Sequence, residues 1–172
     1  MDDPWALAAW KGVTTFQAHR DDPDVTLDVD VEYAVFAPGD YKNSGTDPSG
    51  DMEYVYAYQV FNDRAGDTPV SSFTVGLDLA SDPDDIGSDS GSGTAGGTAP
   101  SFSAFSGSPP SSAVWYFFSN TIDPPNGYSE VLIFTSPNAP RWTPSSLLDS
   151  GLSDTQDLPS PGPAPGPRGR VA

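Results

Sequence analysis

Alternating hydrophobic and polar residues form the clearest pattern in this chain, and the most regular alternation runs over Asp24–Phe36. Every second residue from Val25 to Val35 is apolar, and most of the residues between them are polar: Thr26, Asp28, Asp30 and Glu32. Successive side chains of a β-strand point to opposite faces of a sheet. The pattern therefore predicts an antiparallel strand with one buried face and one solvated face.

The segment Glu53–Leu79 predicts two more strands with a polar turn, Asp63–Thr68, between them. Apolar residues recur at period two in both halves of the segment: Tyr54, Tyr56, Tyr58 and Val60, and then Phe73, Val75, Leu77 and Leu79. Each half thus has an apolar face that must be buried, and we expect these faces to share a core with the Val25–Val35 face.

Shorter runs predict strands at Val13–Ala18, Ala113–Phe118 and Ser129–Ser136. Short strands separated by Gly-, Pro- and Asp-containing turns are typical of sandwiches. We therefore predict an all-β fold, an antiparallel β-sandwich that is Ig-like in a loose sense, with about six to eight strands.

Three segments lie outside this strand pattern. Residues 1–12 predict an N-terminal arm, either one or two helical turns or an extended arm with Trp5 and Trp10 plugging the end of the sandwich. Residues 81–112, rich in Ser, Gly, Asp and Pro, predict a long flexible insertion in a domain that spans residues 13–158. Residues 159–172 predict a Pro/Gly-rich, polyproline-like tail that contributes nothing to a core.

Two strands have apolar residues on both faces. Val55, Ala57 and Phe61 lie opposite the tyrosine row, and Val114, Tyr116 and Phe118 lie opposite Trp115 and Phe117. A sandwich strand needs only one apolar face, so the second face demands cover. The arm Trp5–Trp10, the segment Pro137–Leu158 or a neighbouring subunit are the three candidates.

The negative charge of the chain disfavours some classes of binding partner. The formal net charge is −17, from 24 acidic residues against seven basic ones, and 21 of the acids are Asp. Such a field repels phosphate backbones and anionic lipids, so we expect no nucleic-acid partner and no direct binding to a membrane surface. The longest apolar run, Ala113–Phe118, is far too short for a transmembrane segment.

The cysteine count, the first residues and the composition bear on where in or outside the cell the protein is located. The chain has no Cys, so disulfides and thiolate metal sites are excluded and the redox compartment cannot be inferred. Met1–Pro4 has neither a basic flank nor an apolar core, so we expect no signal peptide within this sequence. The protein is then expected to be either cytosolic or exported with its leader removed. The abundance of Asp, Ser, Thr, Gly and Pro, with few Lys and Glu, favours the exported protein.

Calcium is the cofactor that the sequence favours most. Four carboxylates fall within eight residues, at Asp82, Asp84, Asp85 and Asp89, and Gly87 permits a tight turn among them. Calcium takes six to eight oxygen ligands, which suits this density, although the pattern lacks the bidentate Glu of an EF-hand. The alternative is a solvated acidic loop. Asp21, Asp22 and Asp24 form a second, sparser cluster.

Catalytic arrangements are weakly supported. The single histidine, His19, lies among polar residues at a strand exit, where a structural role is more common than catalysis. Paired carboxylates for glycoside hydrolysis arise by accident in a chain with 24 acids. We therefore predict that the protein is not an enzyme, with a small hydrolase as the most remote of the alternatives.

Two stretches carry a resemblance to known families. Tyr56-x-Tyr58-x-Val60-x-Asn62, with Gly66-Asp67-Thr68-Pro69-Val70 and Phe73-x-Val75, resembles secreted bacterial Ig-like repeats. Val31–Gly39 and Phe134–Pro140, with Gly151–Asp154 and Leu158–Pro161, resemble exported bacterial proteins with PEP-CTERM-type sorting tails. The chain departs from the latter pattern after Pro161, where neither the Pro-Glu-Pro motif nor the apolar helix follows. The resemblance implies an extracellular β-sandwich without enzymatic activity.

Together these observations predict a non-enzymatic extracellular or cell-surface structural protein that self-associates through strand edges or apolar outer faces. Its partners would be copies of itself or other cell-surface components. The alternative is a calcium-dependent or carbohydrate-binding β-sandwich module. An exposed Tyr or Trp platform beside an acidic cluster would favour the binding module, whereas unpaired strand edges and an apolar outer face would favour assembly.

Overall fold

A computed structural model describes residues 8–21, 24–41, 45–62, 66–148 and 152–163. Within these ranges the fold is all-β, and two antiparallel sheets pack as a sandwich, which confirms the predicted fold class. The described ranges contain no helix, and therefore none long and apolar enough to cross a membrane. The described residues form eleven strands, more than the six to eight predicted.

The strands follow one another along the chain with these bounds: β1 Trp10–Asp21, β2 Asp24–Phe36, β3 Tyr54–Asn62, β4 Ser72–Gly76, β5 Asp84–Asp89, β6 Phe102–Ser106, β7 Ser112–Tyr116, β8 Gly127–Tyr128, β9 Val131–Ser136, β10 Pro140–Leu148 and β11 Ser153–Pro161. One sheet has the order β1-β2-β3-β9-β5, with β8 pairing to β3, and we call it the six-stranded sheet. The five-stranded sheet has the order β11-β10-β4-β7-β6.

The main core lies between the two sheets. It contains the predicted apolar row of β2 from Leu27 to Val35, the β3 residues Tyr56, Tyr58 and Val60, and Phe73 and Val75 of β4. The prediction that these faces share one core is therefore confirmed. Leu77 also joins this core, but Leu79 is exposed, because β4 ends at Gly76 and the chain has turned away by that point.

A second, smaller apolar cluster lies on the outer face of the six-stranded sheet. Its buried residues come from β2, β3, β9 and the loop after β2: Ala34, Phe36, Tyr41, Val55, Ala57, Val131 and Ile133. Tyr41 packs edge-on against Phe36, and Ala8 also packs against the cluster. The second apolar face of β3 is thus largely covered within the chain. Most of the cover comes from the loop after β2, which was not among the predicted candidates, and Ala8 of the predicted arm Trp5–Trp10 adds to it.

The segment Pro137–Leu158 does not cover either outer face. It contains β10 and most of β11, which extend the five-stranded sheet beyond β4. The prediction that residues 159–172 contribute nothing to the core is wrong at its start, since Pro159, Ser160 and Pro161 are buried in β11. Proline is tolerated there because β11 is the last strand of its sheet and need not donate to a further neighbour. Residues 164–172 lie outside the described residues.

The insertion predicted at residues 81–112 contains two strands and is not a structureless loop. β5 pairs with β9 through an irregular register between Asp84 and Gly87, and β6 pairs with β7. Both are the last strands of their sheets, so polar, Ser-rich sequences suffice for them. At the N-terminus, Trp10–Gly12 belongs to β1, so the helical alternative is wrong for these residues, whereas residues 1–7 lie outside the described residues.

Tyr58 is the residue whose substitution tests this packing most directly. Its ring is fully buried, and its hydroxyl donates a hydrogen bond to the Pro159 carbonyl at 2.5 Å, joining β3 to β11 of the other sheet. We expect Tyr58→Ala to lower the free energy of unfolding by about 3–5 kcal/mol, as aromatic truncations in cores do. Urea denaturation followed by tryptophan fluorescence measures this change.

Tyr58→Phe is the matched control, since it keeps the ring and leaves the Pro159 carbonyl without its donor. We expect it to cost about 1–3 kcal/mol, the usual penalty for an unsatisfied buried group. A loss of under about 1 kcal/mol for Tyr58→Ala would contradict the placement of this ring in the core.

Candidate functional site

The four residues predicted to bind calcium do not converge on a common point. Asp89 Oδ2 accepts a hydrogen bond from the buried Tyr41 hydroxyl at 2.7 Å, whereas Asp85 Oδ2 accepts one from Thr135 Oγ1 at 2.8 Å. Asp84 Oδ1 accepts the backbone N–H of Asp85 at 2.8 Å. Among the described residues, which include all four aspartates, no group of three His, Cys, Asp or Glu side chains is arranged to hold a metal ion. The calcium site stays a prediction, supported only by the local density of carboxylates.

Three of these aspartates lie close enough to Glu53 to change its ionisation. Burial raises the pKa of the Glu53 carboxyl above its ordinary value, and the charges of Asp85, Asp84 and Asp82 raise it further. A hydrogen bond with the Thr135 side chain acts in the opposite direction. We call Glu53, Asp82, Asp84 and Asp85 the acidic corner, a place where the fold keeps carboxylates close enough to repel one another.

His19 lies near the end of β1, opposite Thr26 of β2, because β1 continues past the strand exit expected at this residue. Together with Gln17, Ala18, Thr26 and Leu27 it lines an open pocket of about 470 Å³. One ring nitrogen lies 2.9 Å from Thr26 Oγ1, and the other lies 2.9 Å from Asp21 Oδ1. The order hydroxyl, imidazole, carboxylate is that of a hydrolase triad. However, the Asp21 side chain is almost wholly exposed, so water competes for each of these contacts and little preorganisation results.

Four neighbouring strands of the five-stranded sheet contain only one charged residue between them. The sequences of β4, β6 and β7 contain no charged residue, and β10 contributes only Arg141, near its start. Register pairing places the following side chains on this outer face: Ser72, Thr74, Phe102, Ala104, Val114, Tyr116, Ser146 and Leu148. We call this surface the uncharged face.

Three aromatic rings stand side by side on the uncharged face and form what we call the aromatic row: Phe102, Tyr116 and Phe118. The Phe102 and Tyr116 ring centroids lie 6.0 Å apart, the Tyr116 and Phe118 centroids lie 4.9 Å apart, and both pairs are stacked. Phe102 is 57% exposed and Phe118 is 68% exposed. The apolar face of β7 that demanded cover is therefore open to solvent at this row.

Local hydrogen bonds hold the row in place. Ser101 Oγ accepts hydrogen bonds from the backbone N–H groups of Phe118 and Ser119, both at 3.0 Å, which fixes the chain where β7 ends. On the neighbouring strand, Phe105 points inward and contacts Phe134 edge-on. Phe105 therefore packs the insertion against the core, whereas Phe102 faces solvent.

β6 ends the five-stranded sheet, and no described strand pairs with its outer edge. Natural edge strands are commonly protected by charges, prolines or bulges. β5, which ends the other sheet on the same side, carries Asp84, Asp85 and Asp89 and has an irregular register. β6 reads Phe-Ser-Ala-Phe-Ser and has none of these protections within its own span.

The sequence predicted part of this surface. The two apolar faces of Ala113–Phe118 signalled that β7 needs cover, but β6 was not recognised as a strand, because its five residues lie within a Ser/Gly-rich stretch. The signal that could have revealed it is the pair Phe102 and Phe105 between Pro100 and Pro109.

No protein-family model matches this chain, and no curated protein and no solved structure matches it either. The resemblance to secreted Ig-like repeats therefore stays a prediction, and the function has to be inferred from the surface itself.

The acidic corner generates a prediction about pH. Because the folded state raises the Glu53 pKa, protonated Glu53 favours folding below its ordinary value of 4.5, and this contribution is lost as the pH rises through the raised value. We therefore expect Glu53→Gln to be more stable than the parent chain at pH 7 and to lose that advantage by pH 4. Thermal melts across this range measure the difference.

Glu130→Gln is the control, because it removes one negative charge in the same way at a carboxylate that accepts a hydrogen bond from Ser88. It reports the general benefit of lowering the net charge. Equal gains for the two variants at pH 7 would show that Glu53 experiences no special repulsion.

Proposed function

We propose that this protein is a non-enzymatic structural component, located outside the cell or at its surface, that self-associates through the uncharged face, including the free edge of this face at β6. The observation that carries the proposal is the exposed aromatic row of Phe102, Tyr116 and Phe118 on a sheet face without charge, in a chain of net charge −17. Exposed apolar patches next to polar surroundings commonly mark interaction sites.

Charge distribution supports a second copy of the chain as the partner. Acidic residues of the six-stranded sheet include Asp28, Asp30 and Glu32 on β2 and three aspartates on β5. Two copies that met through those surfaces would place carboxylates against carboxylates. The uncharged face is the surface on which two such molecules can approach with their carboxylates farthest from the contact.

A basic partner fits this surface poorly. Such a partner gains affinity and association rate from carboxylates that it can approach. Most of the carboxylates in the described strands lie on the six-stranded sheet, and β11 of the other sheet adds Asp154 and Asp157. Desolvating Lys or Arg side chains against Phe102 and Phe118 would cost free energy without an ion pair in return. The two kinds of partner also differ in their response to salt. Screening strengthens contact between like-charged copies, and it weakens attraction to a basic surface.

The location outside the cell rests on composition and on the resemblance to secreted repeats, and surface labelling of intact producing cells with an antibody to this chain tests it. Labelling only after lysis would contradict an exposed location.

A carbohydrate-binding module is the second candidate, and Trp142 is the observation that favours it. This indole is 51% exposed and packs against Trp10 at 5.3 Å and against Tyr33 at 5.8 Å. Sugar rings pack on open aromatic faces, whereas the rings of the aromatic row already stack on one another. A change in tryptophan fluorescence on titration with oligosaccharides, lost in Trp142→Ala, would favour this alternative.

Light scattering coupled to size-exclusion chromatography tests self-association. We expect the average mass to rise with protein concentration and to rise further as salt increases to about 0.5 M, where the Debye length falls below roughly 5 Å. Phe102→Ser should weaken association by about 1–3 kcal/mol per copy, because Phe102 lies both on the uncharged face and on its edge strand β6 and would lose its apolar contact with the second copy. It should change the stability of the isolated fold little, since this side chain faces solvent.

Met52→Ser is the matched control, because Met52 is 77% exposed and lies in the segment between β2 and β3, away from the uncharged face. We expect this variant to associate like the parent chain. A monomer at every salt and protein concentration would overturn the proposal. Association that falls as salt rises would indicate contact through charged groups instead.

A further inference from the structure

We propose that two copies pair edge to edge through β6, antiparallel about a two-fold axis near Ala104, so that their five-stranded sheets become one continuous sheet. This inference rests on the proposed function and specifies how the copies meet. It differs from face-to-face stacking, in which the uncharged faces of the two copies would cover each other.

The first argument is the chemistry of the edge. A terminal strand presents backbone N–H and C=O groups that no neighbour in its own sheet satisfies, and a second strand can pair with them. β6 is held in an extended form by complete register pairing with β7, from Phe102 opposite Tyr116 to Ser106 opposite Ser112. A partner strand therefore meets a preformed template and incurs little additional ordering cost.

The second argument is the extent of the free edge. Pro100 precedes β6 and Pro109 follows it, and proline has no N–H to donate to a ladder. Beyond Ser106 the chain turns back at Gly107, whose φ of +95° favours glycine, and Ser111 N–H bonds the Ser106 carbonyl at 2.7 Å. Pairing is thus confined to the short span between the two prolines, which suits a discrete dimer.

The third argument is the register. In an antiparallel pair centred on Ala104, Phe102 lies opposite Ser106 of the second copy and Ser103 lies opposite Phe105. Each pair then joins residues of the same face, so Phe105 stays directed toward a core and Phe102 stays on the uncharged face. A two-fold arrangement satisfies both copies with the same contacts. The aromatic rows of the two copies would then flank the shared edge.

The position of β5 explains why this pairing needs salt. β5 contacts β6 across the sandwich, and the Trp115 indole of β7 donates a hydrogen bond to the Gly87 carbonyl of β5 at 2.8 Å. Pairing through β6 therefore brings the exposed Asp84 toward its equivalent in the second copy. Screening of this repulsion by salt favours the pair.

Single-cysteine variants test the geometry, and the absence of native cysteines makes the result unambiguous. Directly opposite residues of an antiparallel pair have Cβ atoms about 4.5–5.5 Å apart, close to the separation that a disulfide spans. We expect Ala104→Cys to form a covalent dimer on mild oxidation at high salt. Thr74→Cys, on β4 in the middle of the uncharged face, should form little, because β7 and β6 separate it from the shared edge.

The outcomes separate this inference from the proposed function. Efficient cross-linking of Thr74→Cys would show face-to-face stacking and would overturn pairing through β6 while leaving self-association intact. Failure of both variants to cross-link, with a parent chain that is dimeric by light scattering, would also overturn it. A parent chain that stays monomeric would overturn the inference together with the proposed function.

A second pair of variants tests the role of β5 independently of cysteine chemistry. Asp84→Asn should lower the dimer dissociation constant at low salt, with a smaller effect at about 0.5 M salt, where charges are screened. Asp157→Asn removes the same charge from β11, at the opposite end of the five-stranded sheet, and should have less effect. Equal changes for the two variants would contradict contact near β5.

Discussion

The packing of four large aromatic rings between the two sheets is the interaction on which the rest of the structure depends. Tyr58 and Phe134 come from the six-stranded sheet, and Phe73 and Trp115 come from the five-stranded sheet. The rings of Tyr58 and Phe73 lie 5.7 Å apart, and those of Trp115 and Phe134 lie 6.2 Å apart. Because aromatic side chains bury large areas and prefer defined offsets, this cluster fixes how the sheets face each other. Once the sheets are aligned in this way, alternation decides which side chains of each strand point into the core and which lie on the outer face.

The outer face of the six-stranded sheet is partly buried, whereas that of the five-stranded sheet is exposed at Phe102 and Phe118. The alternation of apolar and polar residues within a strand does not predict this difference. Phe36, Val55 and Ala57 on the six-stranded sheet become buried because Tyr41 lies across them, and that hydroxyl is anchored by Asp89 and Ser92. Burial raises the Tyr41 pKa well above its usual range, so the ring stays neutral and remains a donor to Asp89. On the five-stranded sheet the described part of the chain supplies no such cover at Phe118.

Much of the fold could be predicted because burial imposes period two on inner strands. The apolar rows of β2 and β3, and that of Phe73–Leu77, were predicted correctly from alternation alone. The strand prediction did not include β5, β6, β8, β10 and β11. Of these, β5, β6 and β11 lie at sheet edges, where one side of the ladder faces solvent and composition is weakly constrained. β10 is an inner strand, but Pro140 and Pro144 interrupt its pattern, and β8 is only two residues long. The candidate surface was predicted only in part, because burial constrains the sequence of an inner strand more than that of an edge strand. β7 is an inner strand with a visible pattern, whereas its neighbour β6 is an edge strand. The carboxylates of the predicted calcium site are close in sequence, but Asp85 and Asp89 accept hydrogen bonds from different side chains, Thr135 and Tyr41.

The polarity of the uncharged face bears on what such a surface is suited to do. Its polar side chains are hydroxyls, among them Ser72, Thr74 and Ser146, and not carboxylates. Taking a hydroxyl out of water costs much less than taking an ionised group, and a hydroxyl can find a new partner as either donor or acceptor. A face of this kind stays hydrated in a monomer and can still be buried at low cost. This chain has 24 acidic residues but places none of them on these four adjacent strands, where Arg141 is the single charged residue. It therefore keeps one surface at which the proposed contact with another copy brings few carboxylates together.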